Sequence, residues 1–211
     1  VATVEEARQA IDAGADVLVT QGGEGGGHGR RHRSTLTLLP EVVDLVAASA
    51  RDVPVLAAGG VGDGRALAAA LVLGGAGVMV GTRFWACTEA LISQRAQQRA
   101  VAAGGDDTLP TTVYDRVRGY RWPAGYTSRV LATPFVQRWH GRDDELGAAL
   151  PDLTERYERA AGEEDYDVAQ ILVGEGIGVI DAVRSAADVV DSLVRAAELA
   201  LRAATNAVTG G

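Results

Sequence analysis

Three short apolar runs, each ending in glycine and each trailed by a helix-like stretch, constrain this chain more than any other feature. Asp16-Val17-Leu18-Val19-Thr20 runs into Gln21-Gly22-Gly23, Pro54-Val55-Leu56-Ala57-Ala58 into Gly59-Gly60, and Gly77-Val78-Met79-Val80 into Gly81-Thr82. The runs are near-continuously apolar rather than alternating, the pattern of parallel strands covered on both faces. Helix signals separate them. Thr3 with Glu6 three residues on forms a capping-box signal ahead of EEARQAIDA, which Gly14 stops. A helix is expected from about Pro40 through PEVVDLVAASA, with the proline in its first turn. Asp63 is expected to cap GRALAAALVLG, which Gly74-Gly75 ends, and a further helix to begin near Ala86. Strand–helix–strand at this spacing means βαβ units.

Glycine clusters and charge divide the 211 residues into two zones with a boundary near Gly104-Gly105. Residues 1–105 carry 10 acids against 9 arginines, whereas residues 106–211 carry 18 acids against 11 arginines and read as mainly helical. In that second zone SRVLATPFVQRW, DELGAALPDLTERYERAA and AADVVDSLVRAAELALRAA are expected helices, the first interrupted at Pro134. Apolar residues make up 47% of the chain, enough for a sizeable core.

Composition then removes whole classes of chemistry. Every basic residue is arginine, so a Schiff base, a pyridoxal phosphate anchor and a Walker-type P-loop are excluded. A lone Cys87 excludes an internal disulfide and a cysteine-rich zinc site, and no metal is expected. A net charge of −8 argues against nucleic acid as a partner. No apolar run reaches the ~18 residues that span a bilayer, so the expectation is a cytoplasmic chain with no membrane partner.

What chemistry remains sits at the C-terminal ends of the three runs, where ligands bind in barrels and in open α/β sheets. Gln21-Gly22-Gly23-Glu24-Gly25-Gly26-Gly27-His28 holds five glycines in eight residues, a backbone that can approach a flat ligand closely. It delivers His28, suited to acid–base work at neutral pH; the ordinary alternative is a solvated loop histidine. His32 falls among Arg30, Arg31 and Arg33, which read as a solvated basic loop. Gly59-Gly60-Val61-Gly62-Asp63 and Gly81-Thr82-Arg83-Phe84 are two strand-to-helix loops with free N–H groups, suited to an anion such as phosphate. The alternative is that these glycines only permit tight turns.

GADVLVTQGGEGGGHG, VPVLAAGGVGDGRALAAAL and GVMVGTRFWACTEAL, in that order and spacing, resemble the nitronate monooxygenase (2-nitropropane dioxygenase) family. VRGYRWPAGYTSRVL, RWHGRDDEL and DVAQILVGEGIGVI extend the resemblance over nearly the whole chain. It implies an FMN-dependent (β/α)8 TIM barrel that oxidises alkyl nitronates, and some nitroalkanes, with O2 to a carbonyl compound and nitrite. By motif, Gln21 and Gly26 would contact the flavin; Gly59, Gly60, Gly81 and Thr82 would hold its phosphate; Met79 and Val80 would line the last strand's end. His28 matches the family's active-site histidine, a base for neutral nitroalkanes or a charge partner for the anionic nitronate. Gly25 stands where the family usually has alanine. The first three motifs are shared with FMN- and NAD(P)H-dependent enoyl-thioester reductases, which form the alternative reading, beside a non-catalytic flavin- or phosphate-binding piece.

The motifs resemble strands 6 to 8 of such a barrel, with Val1-Ala2-Thr3 trailing from strand 5. A whole barrel needs ~250 residues, so the expectation is the C-terminal part of a barrel, residues 1–105, plus an α-helical extension, residues 106–211. A homo-oligomer is compatible with these features. Trp122, Tyr126 and Trp139 read as core aromatics rather than flavin neighbours, His140 as structural, and Glu163-Glu164-Asp165 as a solvated loop. Gly174-Glu175-Gly176-Ile177-Gly178 lacks the preceding strand of a dinucleotide fingerprint and reads as a helix break near the active site.

Overall fold

In a computed structural model describing residues 1–210, the three apolar runs form one parallel sheet. Its strands are β1 (Leu18–Gln21), β3 (Val55–Ala58) and β4 (Gly77–Met79), in the order β1-β3-β4. Helices α1 (Val4–Asp12), α2 (Thr35–Ala47) and α3 (Gly64–Val72) connect or flank them. Leu18, Val55 and Ala57 pack with Ile11, Leu38, Leu39 and Val42 in the largest core cluster. Burying each such Leu, Ile or Val side chain stabilises by about 1.5–3 kcal/mol.

The expectation of two covered faces is met on one face only. Along β1 and β3 buried residues alternate with half-buried ones, and β4 ends on Met79, 59% exposed. The less covered positions Val19, Gln21, Ala58 and Met79 line a cavity instead. Val1 lies along β1: its amino group donates to the Val19 carbonyl at 2.7 Å, and its carbonyl accepts from Gln21 N–H at 2.9 Å.

The caps of α1 and α3 are those the sequence implies. Thr3 Oγ1 accepts from Glu6 N–H at 3.1 Å, and Asp63 accepts from the N–H groups of Arg65 and Ala66. Helix α2 differs, starting at Thr35 and leaving Pro40 inside it. The N-cap Ser34 makes no side-chain cap; the Glu24 carboxylate does so from the glycine loop, accepting from Thr35 N–H at 3.0 Å. Pro40 is the sixth residue of this helix, so the bond that an N–H there would have made to the Leu36 carbonyl is lost. The helix expected near Ala86 is split into α4 (Thr82–Trp85) and α5 (Gln94–Val101).

Asp63 offers a stability test. Burial pushes its carboxyl up, but hydrogen bonds from the Arg65 guanidinium and from Arg65 and Ala66 N–H outweigh that, so its pKa lies below the ordinary value. A depressed carboxyl stabilises the fold above its unfolded pKa, and that contribution is lost as pH falls through the folded one. Asp63→Ala should cost about 1 kcal/mol at neutral pH. In urea melts the gap from wild type should close below an unfolded aspartate pKa of about 4.

The acidic second zone adds a second, antiparallel sheet, order β2-β6-β5, built from β2 (Gly27–Gly29), β5 (Thr108–Thr111) and β6 (Thr127–Leu131). SRVL is therefore strand, not helix: Ser128, Val130 and Leu131 are buried, and two partner strands satisfy its backbone. Pro134 does not interrupt a helix but starts α7 (Pro134–Trp139), with Thr133 Oγ1 accepting from Val136 N–H. The remaining α-helices among the described residues are α6 (Val113–Val117), α8 (Asp143–Gly162) and α9 (Ala186–Thr209). The Gly104-Gly105 boundary separates compositions, not packing. Strand β2 of the first zone pairs with β6 of the second, and α9 lies against α3. No helix among the described residues is long and apolar enough to cross a membrane, and none of their His, Cys, Asp and Glu side chains cluster as a metal site would require.

Candidate functional site

A cavity of about 670 Å³ opens where β1, β3 and β4 end, a volume in the range of cofactor and small-molecule sites. Gln21, Gly26, Gly59, Gly60, Met79, Val80, Gly81 and Thr82, dispersed over 62 positions of sequence, all line it. Val19, Val61, Trp85 and Leu172 give it apolar wall.

Its donors are backbone. Gly59 (φ +100°) and Gly60 (φ +73°) occupy conformations that side chains rarely adopt. The N–H groups of Gly59, Gly60, Gly81 and Thr82 donate to no backbone oxygen among the described residues. Asp63 already accepts from the Arg65 and Ala66 N–H groups in the first turn of α3, so the donors this loop brings to the cavity are backbone groups ahead of that turn, Gly59 and Gly60 among them. Arg83 does not line the cavity: it is buried, and its Nη2 donates to the carbonyls of Ala86 (2.8 Å) and Ala182 (2.6 Å). Thr82 Oγ1 accepts from Gly174 N–H at 2.9 Å.

The glycine loop is clamped from behind. Arg31, expected in solvent, is half-buried and donates to the carbonyls of Gly23, Gly25, Gly27 and Thr127. Burial and the neighbouring Arg129 charge lower its pKa to about 10, so it stays a cation at neutral pH. Arg129 donates to Gly23 O at 3.1 Å and pairs with Glu175 at 2.8 Å. Gln21 closes the loop by donating to the His28 carbonyl at 3.0 Å. The other two arginines of the basic stretch face outward: Arg30 pairs with Glu6 at 2.9 Å and Arg33 with Glu41.

The Gly174–Gly178 segment packs against this loop as the 3-10 turn Glu175–Val179, with Glu175 N–H donating to Glu24 O at 3.0 Å. The fit is glycine against glycine: a Cβ on Gly26 would stand 2.6 Å from Gly174 N and 2.7 Å from the Val173 carbonyl carbon. A Cβ on Gly25 would meet nothing closer than 3.4 Å, so an alanine there is sterically accommodated.

His28 follows the last lining glycine, Gly27, but does not itself line the cavity. It sits on β2, and its Nε2 lies 2.7 Å from Asp115 Oδ1. Its ring stacks on Trp122 with centroids 4.0 Å apart and planes 15° from parallel. Trp122 stacks in turn toward Tyr126 at 5.9 Å, over which the Arg30 guanidinium lies at 5.2 Å. Trp122 is therefore not core: it is 47% exposed, because the Tyr120–Gly125 stretch that carries it is exposed throughout. Trp139 does pack beside the second-zone core, and His140 is exposed with Nδ1 3.2 Å from Thr111 Oγ1. His32 is exposed. Sequence reasoning missed Asp115 altogether. Its only signal is an acidic residue in the apolar stretch VYDRV, 87 positions from His28.

The nitronate monooxygenase family profile matches residues 1–196. The chain belongs to that family. A nitronate monooxygenase of Metarhizium robertsii is 40% identical over 197 residues, covering 86% of this chain and 53% of its own length. This family member thus spans about half the length of the curated relatives it matches. FabK from Thermotoga maritima superposes with a TM-score of 0.78 at 29% identity, over all of this chain and 62% of that one. A nitroalkane oxidase from Streptomyces ansochromogenes does so at 0.76 and 28% identity, over 96% and 57%. The α/β fold is common to them.

Proposed function

We propose that this chain carries the flavin-phosphate cradle and the acid–base histidine of an FMN-dependent nitronate monooxygenase. The observation that supports it is the meeting, in one cavity, of eight residues picked from three separate motifs, four of them with free N–H donors. Those donors fit an anion without any lysine. The apolar wall of Val19, Val61, Trp85 and Leu172 fits a flat ring system. When bound, FMN would supply the electron transfer between the nitronate and O2, and the products are a carbonyl compound and nitrite.

The chain's own residues bind, orient and move a proton. Gly59, Gly60, Gly81 and Thr82 would hold the phosphate; Gln21 and Gly26 would lie against the ring, with Met79 and Val80 beside them. Arg31 and Arg129 keep the glycine carbonyls turned toward the guanidinium groups, so the loop is organised before a ligand enters. His28 takes the proton of a neutral nitroalkane, whose α-carbon is acidic enough that one positioned base suffices. We further propose that β1, β3 and β4 are strands 6 to 8 of a (β/α)8 barrel. The half-covered face that lines the cavity supports this, as does the chain's length relative to its relatives.

Titration with FMN, followed by O2 uptake and nitrite release with propyl nitronate, tests the activity. Saturable flavin binding with nitronate-dependent O2 consumption is expected. Flavin bound without O2 consumption on any nitronate would sink the reading. Rapid bleaching of the flavin by NADPH, with turnover of an enoyl thioester, would transfer it to the reductase branch.

A further inference from the structure

Asp115 is a carboxylate held in the core for a single bond. Its residue is 5% exposed, it sits on α6 between the buried Tyr114 and Val117, and Oδ2 has no hydrogen-bond partner. Oδ1 meets His28 Nε2 at 2.7 Å. Burying a carboxylate with one oxygen unsatisfied is costly, and a buried polar atom left unpaired calls for an explanation in function. Helix α6 is also rigidly mounted: Tyr114 OH lies 2.9 Å from Thr133 Oγ1 and donates to Val168 O at 3.1 Å. Trp122 covers one face of the imidazole at 4.0 Å. The ring of His28 is thereby held by its edge and by its face.

We propose that Asp115 is a positioning residue for His28 that sets its tautomer, making Nδ1 the nitrogen that receives the substrate proton. A carboxylate accepts only, so Nε2 carries the proton that is shared with Oδ1. In the neutral imidazole the other nitrogen is then the acceptor. Nδ1 has no hydrogen-bond partner among the described residues and is not sealed in the interior. In the step itself the α-carbon proton of a neutral nitroalkane passes to Nδ1, and the C–H electron pair stays on the substrate as its nitronate. The imidazolium that results keeps both N–H groups, one of them on Asp115. No oxidant enters this step. The identity of the substrate rests on the nitronate-oxidising reading; the tautomer does not.

Two measurements separate these. In long-range ¹⁵N–¹H spectra of ¹⁵N-histidine-labelled protein above the histidine titration, His28 should show the Nε2–H tautomer, assigned by its loss in His28→Ala. Asp115→Asn, whose amide can donate to Nε2, should shift the population toward Nδ1–H, and Asp115→Glu should restore Nε2–H. In turnover, Asp115→Asn should lower kcat/KM for nitroethane by about 10²-fold or more, chiefly in kcat. It should lower kcat/KM for ethyl nitronate, already deprotonated, far less. An Nδ1–H tautomer in the wild type overturns the proposal, as does an equal loss on both substrates. A wild type that oxidises no nitronate overturns the functional reading instead, and the spectra alone then decide Asp115.

Discussion

Replacement of His28 by alanine is expected to lower kcat/KM for nitroethane by about 10²- to 10⁴-fold, the usual contribution of a positioned general base. The loss on ethyl nitronate should be markedly smaller, because the proton is already gone and only a charge partner is removed. The substrate comparison matters because His28 also packs: its ring covers Trp122 at 4.0 Å, and its backbone pairs with Ser128 across β2 and β6. A general loosening of that corner would depress both substrates alike. Combining His28→Ala with Asp115→Asn should cost little more than His28→Ala alone, since the carboxylate acts through the imidazole. Unchanged nitroethane turnover in His28→Ala would remove the proposed base.

The second large effect is steric. Gly26→Ala should destabilise the protein by about 1–3 kcal/mol, the cost of overpacking a tight site, and weaken flavin binding with it. The new methyl would meet Gly174 N at 2.6 Å and the Val173 carbonyl carbon at 2.7 Å, backbone atoms that cannot rotate away. Relief requires separating the Gly174–Gly178 turn from the glycine loop, and that turn also delivers Glu175 to Arg129. Gly25→Ala, one residue earlier, is the control. Its methyl would sit at ordinary contact distances of 3.4–3.5 Å, and its stability should stay within about 0.5 kcal/mol of wild type. Denaturant midpoints and FMN titration of the two variants check the contrast; equal behaviour would show that the interlock contributes nothing.

Much of the cavity was legible because its signals are local. A strand end followed by glycine is written in adjacent residues, so Gly59, Gly60, Gly81 and Thr82 could be read directly. Asp63 and Thr3 are readable for the same reason: a cap acts on N–H groups two or three residues away. The basic stretch was misread because burial is not local. Arg30, Arg31 and Arg33 are alike in sequence, but only Arg31 lies behind the glycine loop, where carbonyls need a donor. SRVL was misread as helix because propensity is weak against two partner strands that arrive from elsewhere.

By itself, the sequence determined the parallel βαβ order, the glycine-ended loops that line the cavity, the absence of lysine, and a histidine just past the glycines. All of these are set by spacing within a few residues or by composition. The tertiary structure alone decided which charges are buried, that the second zone lends β6 to the glycine loop, and that Asp115 and Trp122 hold His28. Those facts depend on contacts across 87 and 94 positions. No periodicity or propensity encodes such separations, because they arise only when two halves with different compositions pack into one site.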